Sequence, residues 1–506
     1  MYRILFTIFC TILFVACGRT DHEEGPEPPL KNILVIVGDD HATGVLGAYG
    51  NTVIRTPNLD KLADTGVQFN HAFANSPLCS ASRQSLLTGR YPHATGVTLL
   101  TTSFPEEQVT LPEHLAPHGF TSALIGKSHF NNQGKHGFDT LIGRNDWQKY
   151  IDSTGTREVP DTVRVRPPWK PFRDHARIWL NADAVPGPYY EQDDIATFYT
   201  NQAIEFLERN KYNRFCLWLA YHEPHSPFNF PIEFSGKYDP AAMPLPTGSG
   251  EDDRWIPEVF KDLTEEERRG IISAYYTSVE YLDTKIGQVL TKLEEIGEDK
   301  NTVVVYLGDH GYLLNDHKRF EKHMMWEEAV RTPLLIRPGY GEEKKIDQMV
   351  EFVDVLPTIL DYLGIPEKED AQGRTLRPLI SGEDTLHKDY IFSEFLADNK
   401  AMVRSERWKY VYTTGKNDLG QGYATGNPPP GVTHRLYDLQ NDGRETRDVF
   451  HEKENAEVVA QLQGAMINWF MKTHPRAREI RENMTLEEKL AFFCEPPDVN
   501  PRTDAK

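Results

Sequence analysis

Two pairs of candidate metal ligands stand out in this chain. Gly38-Asp39-Asp40 and Gly308-Asp309-His310-Gly311 each follow a short apolar run. Adjacent carboxylates repel one another unless a cation neutralises them. Asp39, Asp40, Asp309 and the His310 imidazole together suit a hard divalent cation, with Ca2+ or Mg2+ favoured over zinc. Helix capping would explain either pair alone, whereas two such pairs at equivalent positions point to metal. A third cluster is Pro77-Leu78-Cys79-Ser80-Ala81-Ser82-Arg83, followed by Leu87-Thr88-Gly89-Arg90. Cys79 opens a Ser/Ala-rich turn into a helix, with a guanidinium four residues on. On residue chemistry alone it is either a small buried hydrophobe or a thiolate nucleophile held by Arg83 and a helix dipole.

The elements that must position these residues follow from hydrophobic patterning. Residues 33–37, 121–125, 215–221, 302–307 and 333–336 are apolar runs with the length of strands buried on both faces. Residues 263–296 place Ile271, Ile272, Tyr275, Val279, Leu282, Ile286, Val289, Leu290 and Leu293 at helical spacing, with acidic residues crowding the start. This alternation predicts an α/β fold, a large mostly parallel (mixed) sheet sandwiched by helices. In such sheets ligands sit at the carboxyl ends of strands, where both metal pairs fall. The main unit is expected over 31–385. Residues 386–506 predict a smaller C-terminal α+β subdomain with a short antiparallel sheet. Its strands are expected over 401–412 and 436–439, a loop over 414–431, a helix over 456–472 and a loose tail from 495.

Charge and cysteines narrow the class. With 55 basic and 75 acidic residues the net charge is −20, which would repel nucleic-acid phosphates and excludes a nucleic-acid partner. An anionic substrate would need a local basic pocket set against that field. Arg3 and the apolar residues 4–15 form a targeting segment too short to span a bilayer. Phe14-Val15-Ala16-Cys17 resembles a bacterial lipoprotein cleavage box. Residues 1–16 then form a signal peptide, Cys17 the lipidated first residue, and 17–30 a solvated tether at the cell envelope. Simple cleavage without lipid is the alternative. Once Cys10 leaves with the signal, Cys216 and Cys494 remain to form one disulfide or to stay as buried thiols.

The sequence around Cys79 resembles the signature of the formylglycine-dependent sulfatases of the alkaline phosphatase superfamily, Cys-x-Ala-Ser-Arg followed by Leu-Thr-Gly-Arg. Other matches follow in the family's order over roughly residues 31–450. They are Asp39-Asp40, Gly126-Lys127-Ser128-His129, Gly137-Phe138-Asp139, Pro224-His225-Ser226-Pro227, Asp309-His310, Lys322, Val353-Asp354-Val355-Leu356-Pro357-Thr358 and Leu436-Tyr437-Asp438-Leu439. His310 replaces a common Asn, and Ser128 a commonly larger residue.

The resemblance implies that a maturation enzyme oxidises Cys79 to formylglycine (3-oxoalanine), whose hydrate attacks sulfur. It implies Asp39, Asp40, Asp309, His310 and the modified Cys79 as metal ligands, with Ca2+ favoured and Mg2+ the alternative. Arg83 helps to activate the nucleophile, and Lys127, Lys322 and His225 stabilise the sulfuryl oxygens. His225 protonates the leaving oxygen, and His129 takes the proton that lets sulfate depart. Lys318 and His323 lie close enough in sequence to compete with Lys322 for its role.

For the substrate, Arg164, Arg166, Trp169, Arg173 and Arg177 form a basic and aromatic stretch suited to an anionic sugar chain, or else a solvated loop. Arg404 belongs to a second basic cluster with Arg407, Trp408 and Lys409, and His222 is a candidate pocket wall. The expected function is hydrolysis of sulfate monoesters on a sulfated polysaccharide. The alternatives are a phosphonate or phosphodiester hydrolase on the same site, and a non-catalytic glycan-binding lipoprotein.

Overall fold

In the computed structural model, the described residues are 30–168, 175–339, 343–415 and 431–496. The targeting segment and lipidation box, together with Trp169 and Arg173, lie outside them. The strands in chain order are β1 (Asn32–Gly38), β2 (Val67–Phe73), β3 (Phe120–Gly126), β4 (Thr140–Ile142), β5 (Arg214–Ala220), β6 (Thr302–Gly308), β7 (Leu313–Leu314), β8 (Phe320–Glu321), β9 (Leu334–Arg337), β10 (Lys344–Glu351), β11 (Ile391–Phe395), β12 (Lys400–Arg404), β13 (Trp408–Thr413) and β14 (Thr433–Asp438). Eight form one sheet in the order β10-β2-β9-β6-β1-β5-β3-β4. Within it β9 runs antiparallel to both neighbours and every other pair is parallel. The large mixed sheet expected from the patterning is therefore present.

The central strands β1 and β6 are buried along their whole length, as a sheet covered on both faces requires. Successive side chains of β1 serve opposite cores. Leu34 and Ile36 pack with the layer containing the helices Ile195–Asn210 and Glu265–Glu295. Ile33, Val35 and Val37 pack with the layer containing Cys79–Thr88 and Val355–Tyr362. The long helix begins at a capping box in which the Thr264 hydroxyl accepts from Glu267 N and the Glu267 carboxylate accepts from Thr264 N.

Register brings four strand ends into one row. Val37 lies opposite both Leu307 and Ala220, and Ala220 lies opposite Gly126. The segments leaving β1, β6, β5 and β3 thus start side by side. Gly126 (φ +108°) must be glycine, because a Cβ there would lie 1.8 Å from the Ala220 carbonyl oxygen.

The C-terminal part holds the antiparallel sheet β11-β12-β13-β14, packed against the helix Ala456–Thr473 through Leu462, Met466, Trp469 and Phe470. The expected single strand over 401–412 is a hairpin, β12 and β13, because Ser405 N donates back to Trp408 O and turns the chain. The expected tail from 495 is preceded by a further helix, Leu486–Phe493. Cys216 and Cys494 are buried free thiols, so the disulfide alternative is not formed.

Candidate active site

The row of strand ends gathers the chemistry. β1 runs into Asp39 and Asp40, β6 into Asp309 and His310, β3 into Lys127 and His129, and β5 into His222 and His225. The β1 and β6 ends are tied together: Asp309 N donates to Gly38 O at 2.9 Å, and Asp40 N to Asp309 Oδ1 at 2.9 Å. Cys79 is the first residue of its helix, so the N-terminal dipole end points into the same space. The hairpin β7–β8 folds back from the β6 end and delivers Lys322.

Cys79 Sγ lies 3.2 Å from His310 Nε2, 3.4 Å from Lys322 Nζ and 3.8 Å from Asp40 Oδ1. Burial would raise its pKa, but the Lys127, Lys322 and His310 charges outweigh that and pull the thiol well below its usual value. Arg83 Nε donates to Asp309 Oδ2 at 2.9 Å and its Nη1 to Lys127 O at 3.0 Å, with Nη2 3.4 Å from Asp39 Oδ1. Lys322 Nζ donates to both carboxylate oxygens of Asp40, at 2.5 and 2.7 Å. Lys127 pairs with Asp39.

The two histidines are shifted in opposite directions. Burial pushes His129 down, and its Nδ1 is buried with no hydrogen-bond partner. Burial would lower His225 as well, but Asp40 outweighs it and raises the group. His225 Nδ1 donates to Ser226 O, leaving Nε2 towards Asp40 at 3.8 Å. A neutral imidazole and a readily protonated one in a single site are what a base and an acid require.

The donor set fits a divalent cation. Asp39, Asp40, Cys79 and His225 converge in one group, and Cys79, Asp309 and His310 in another. Asp39 Oδ1 is buried without a hydrogen bond. Burial first, then Asp39 and Cys79, outweigh His310 and Arg83 and push Asp309 up to about 7. A carboxyl crowded in this way is relieved by a cation. Three carboxylates face Arg83, Lys127 and Lys322, so a bound divalent ion leaves the site net positive. That meets the basic-pocket requirement set by the −20 charge.

Backbone strain collects here too. Asp40 (φ 65°) and His129 (φ 58°) occupy the left-handed region without being glycine, at about 1–2 kcal/mol each. Such strain persists where surrounding contacts fix it, and it concentrates at functional sites.

Several supporting contacts go beyond the roles that the motifs imply. The Tyr275 hydroxyl donates to Asp40 O at 2.5 Å, the Ser82 hydroxyl to Asp309 O at 2.5 Å, and Gln84 Nε2 to His129 O at 3.0 Å. In the sequence, Tyr275 is one apolar position of a helical repeat. Trp179 sits edge-on to His225, ring centroids 5.9 Å apart.

The expected substrate contacts fare differently. His222 is pushed down to about 3, chiefly by burial, and its Nε2 lies 3.4 Å from the Tyr199 hydroxyl. Arg164 and Arg177 are exposed and pair with Asp183 and Glu267. Arg166 donates to Asn229 Oδ1 at 2.6 Å. Arg404 is a correction: it is buried, paired with Glu327 at 3.1 Å and set over the Phe73 ring at 5.0 Å, so it is committed to structure rather than to a ligand. Arg404→Met should remove one of the two buried cations that neutralise Glu327 and destabilise the fold by about 2 kcal/mol, seen as a lower midpoint of thermal unfolding. Lys409, in the same cluster, is also buried, against Glu327 and Glu445.

With this geometry in place, the chain can be set beside known proteins. Residues 31–365 match the family described as Sulfatase, and 315–472 match N-sulphoglucosamine sulphohydrolase, C-terminal. An N-acetylglucosamine-6-O-sulfatase of Bacteroides thetaiotaomicron is 27% identical over 88% of this chain and 87% of its own length. A protein solved with its substrate D-glucosamine-2-N,6-O-disulfate superposes with a TM-score of 0.70 at 23% identity, covering 88% of this chain and 98% of its own. A phosphonate monoester hydrolase from Silicibacter pomeroyi superposes with a TM-score of 0.73 at 23% identity, covering 88% and 96%; at such identities both likenesses concern the fold. The chain belongs to the sulfatase family, type I within the alkaline phosphatase superfamily, and is a sulfuric ester hydrolase.

Proposed function

We propose that the enzyme removes O-sulfate from the sugars of a sulfated oligosaccharide or polysaccharide, using Cys79 matured to formylglycine and a bound Ca2+ or Mg2+. The observation that carries this reading is the convergence on Cys79 Sγ of Lys322, His310 and Asp40 within 4 Å. The matured residue supplies a hydroxyl nucleophile in the form of its aldehyde hydrate. Asp39, Asp40, Asp309 and His310 would hold the metal, which supplies Lewis-acid polarisation of a sulfuryl oxygen and of that nucleophile.

The remaining work falls to side chains already in place. Arg83, buried against Asp39 and Asp309, adds fixed positive charge beside the nucleophile. Lys127 and Lys322 present ammonium groups to the sulfuryl oxygens, where charge builds in the transition state. His225, held up by Asp40, donates its Nε2 proton to the departing sugar oxygen. His129, held neutral, accepts the proton whose loss lets sulfate leave. One positioned donor supplies about 3–4 kcal/mol, so several must act together on a slow reaction.

The N-acetylglucosamine-6-O-sulfatase among the relatives supports a sulfated sugar as the substrate class. We further propose an envelope enzyme anchored by lipid on Cys17 and matured by a formylglycine-generating enzyme; Phe14-Val15-Ala16-Cys17 and the Cys79 signature support these.

A phosphonate or phosphodiester hydrolase is the second reading, because the phosphonate monoester hydrolase shares the fold. Paired assays with an aryl sulfate and an aryl phosphodiester separate the two. The expected result is a kcat/KM for the sulfate at least about 10-fold above that for the diester, and faster turnover of the diester would reverse the assignment.

A further inference from the structure

Lys322 stands between two non-glycine residues in the left-handed region, Glu321 (φ 77°) and His323 (φ 70°). Backbone of this kind needs outside contacts to hold it. Those contacts come from the small antiparallel sheet. Lys400, on β12, donates from Nζ to His323 O at 3.2 Å and pairs with Asp398 at 2.6 Å. Lys409, on β13, donates to Met325 O at 3.0 Å and pairs with Glu327 at 2.7 Å and Glu445 at 2.9 Å. Glu327 N in turn donates to the Glu445 carboxylate at 2.6 Å. Phe395, at the end of β11, stacks on the His323 ring with centroids 4.9 Å apart and planes 11° from parallel.

Lys400 is 2% and Lys409 0% exposed, so neither ammonium faces solvent. Burying a cation is expensive unless it is paired, and both lysines are paired, Lys400 with Asp398 and Lys409 with Glu327 and Glu445. Beyond neutralising those carboxylates, each lysine makes a fixed bond to the main chain just past Lys322. Catalysis is sensitive to such placement, since a shift of about 1 Å can cost about 100-fold.

We propose that Lys400 and Lys409 are positioning residues for Lys322. Through the main chain of residues 323–327, the small sheet sets where the Lys322 ammonium meets the sulfate. This rests on Lys322 binding the sulfuryl oxygens, as assigned above.

The test is a double-mutant cycle on the full-length, metal-loaded enzyme with matched formylglycine content, assayed with an aryl sulfate. Lys400→Met and Lys409→Met should each lower kcat/KM by about 10–100-fold. In a Lys322→Ala background either change should cost less than about 3-fold more, because the group it positions is gone. Phe395→Leu, which removes the stacking on His323 while introducing no charge defect, should show a smaller loss with the same dependence on Lys322. It keeps the question open to measurement if a lysine variant fails to fold. Lys388→Met is the control. It removes a half-buried cation from Glu351 and Asp354, and should lower thermal stability while leaving kcat/KM within about 3-fold. Equal losses with and without Lys322 would overturn the proposal. An unchanged kcat/KM in Lys322→Ala alone would instead remove the Lys322 assignment, and the proposal with it.

Discussion

Replacing Cys79 by Ala should lower kcat/KM for an aryl sulfate by about 10⁴-fold or more while leaving the fold intact. The size follows from what is lost. Lys322, His310 and Asp40 all address the Cys79 side chain, so without it they stabilise charge around an absent nucleophile. Losses at a group on which a whole site converges are not shared out among its neighbours. The fold should survive because Cys79 is 2% exposed in a helix that alanine extends readily. Circular dichroism and thermal unfolding close to wild type, with activity at the limit of detection, is the expected pair of observations. A loss below about 10-fold would mean that the reaction runs without this side chain.

The second large effect is expected at Asp40. Asp40→Asn should lower bound metal to well below one ion per chain and reduce kcat/KM by about 10³-fold or more. Asp40 is the hub of the charge network: both its oxygens accept from Lys322, and His225, His310 and Cys79 lie within 4 Å. The asparagine keeps the shape and, like aspartate, tolerates the left-handed backbone found there (φ 65°). Any loss therefore reports charge rather than strain. Removing the carboxylate takes away the charge that both hydrogen bonds from buried Lys322 meet on Asp40, so some loss of stability should accompany the loss of metal. Metal content by elemental analysis, measured beside kcat/KM on the same preparation, checks both parts. Full occupancy with full activity would show that Asp40 does not hold the ion.

Much of this arrangement was legible in the residue order. The five apolar runs correspond to β1, β3, β5, β6 and β9, and 263–296 to the helix Glu265–Glu295. Strands buried on both faces announce themselves by continuous hydrophobicity. The edge strand β10, KKIDQMVE, alternates burial only in part, and β2 carries half-buried Asn70 and His71 in its middle. Neither gives a clean period. At the site, residues at strand ends could be read because strand order alone brings them together.

Partners set by tertiary packing could not be read in this way. Tyr275 lies 235 positions from Asp40, whose carbonyl it meets. Arg404 sits among basic and aromatic residues, as a glycan site would have it, but the carboxylate that claims it is 77 positions away. A basic cluster looks the same in sequence whether it is open or already neutralised. The substrate-facing surface is therefore the part that residue order describes least.

The central claim is that Cys79 works as formylglycine, and intact mass of the peptide containing Cys79, from enzyme made in its native host, tests it most directly. Conversion removes one sulfur and two hydrogens and adds one oxygen, so the shifted mass identifies the aldehyde without reference to activity. The prediction is that active enzyme carries the shifted peptide and that specific activity rises in proportion to its fraction across preparations. Fully active enzyme whose peptide carries only unmodified cysteine would contradict it.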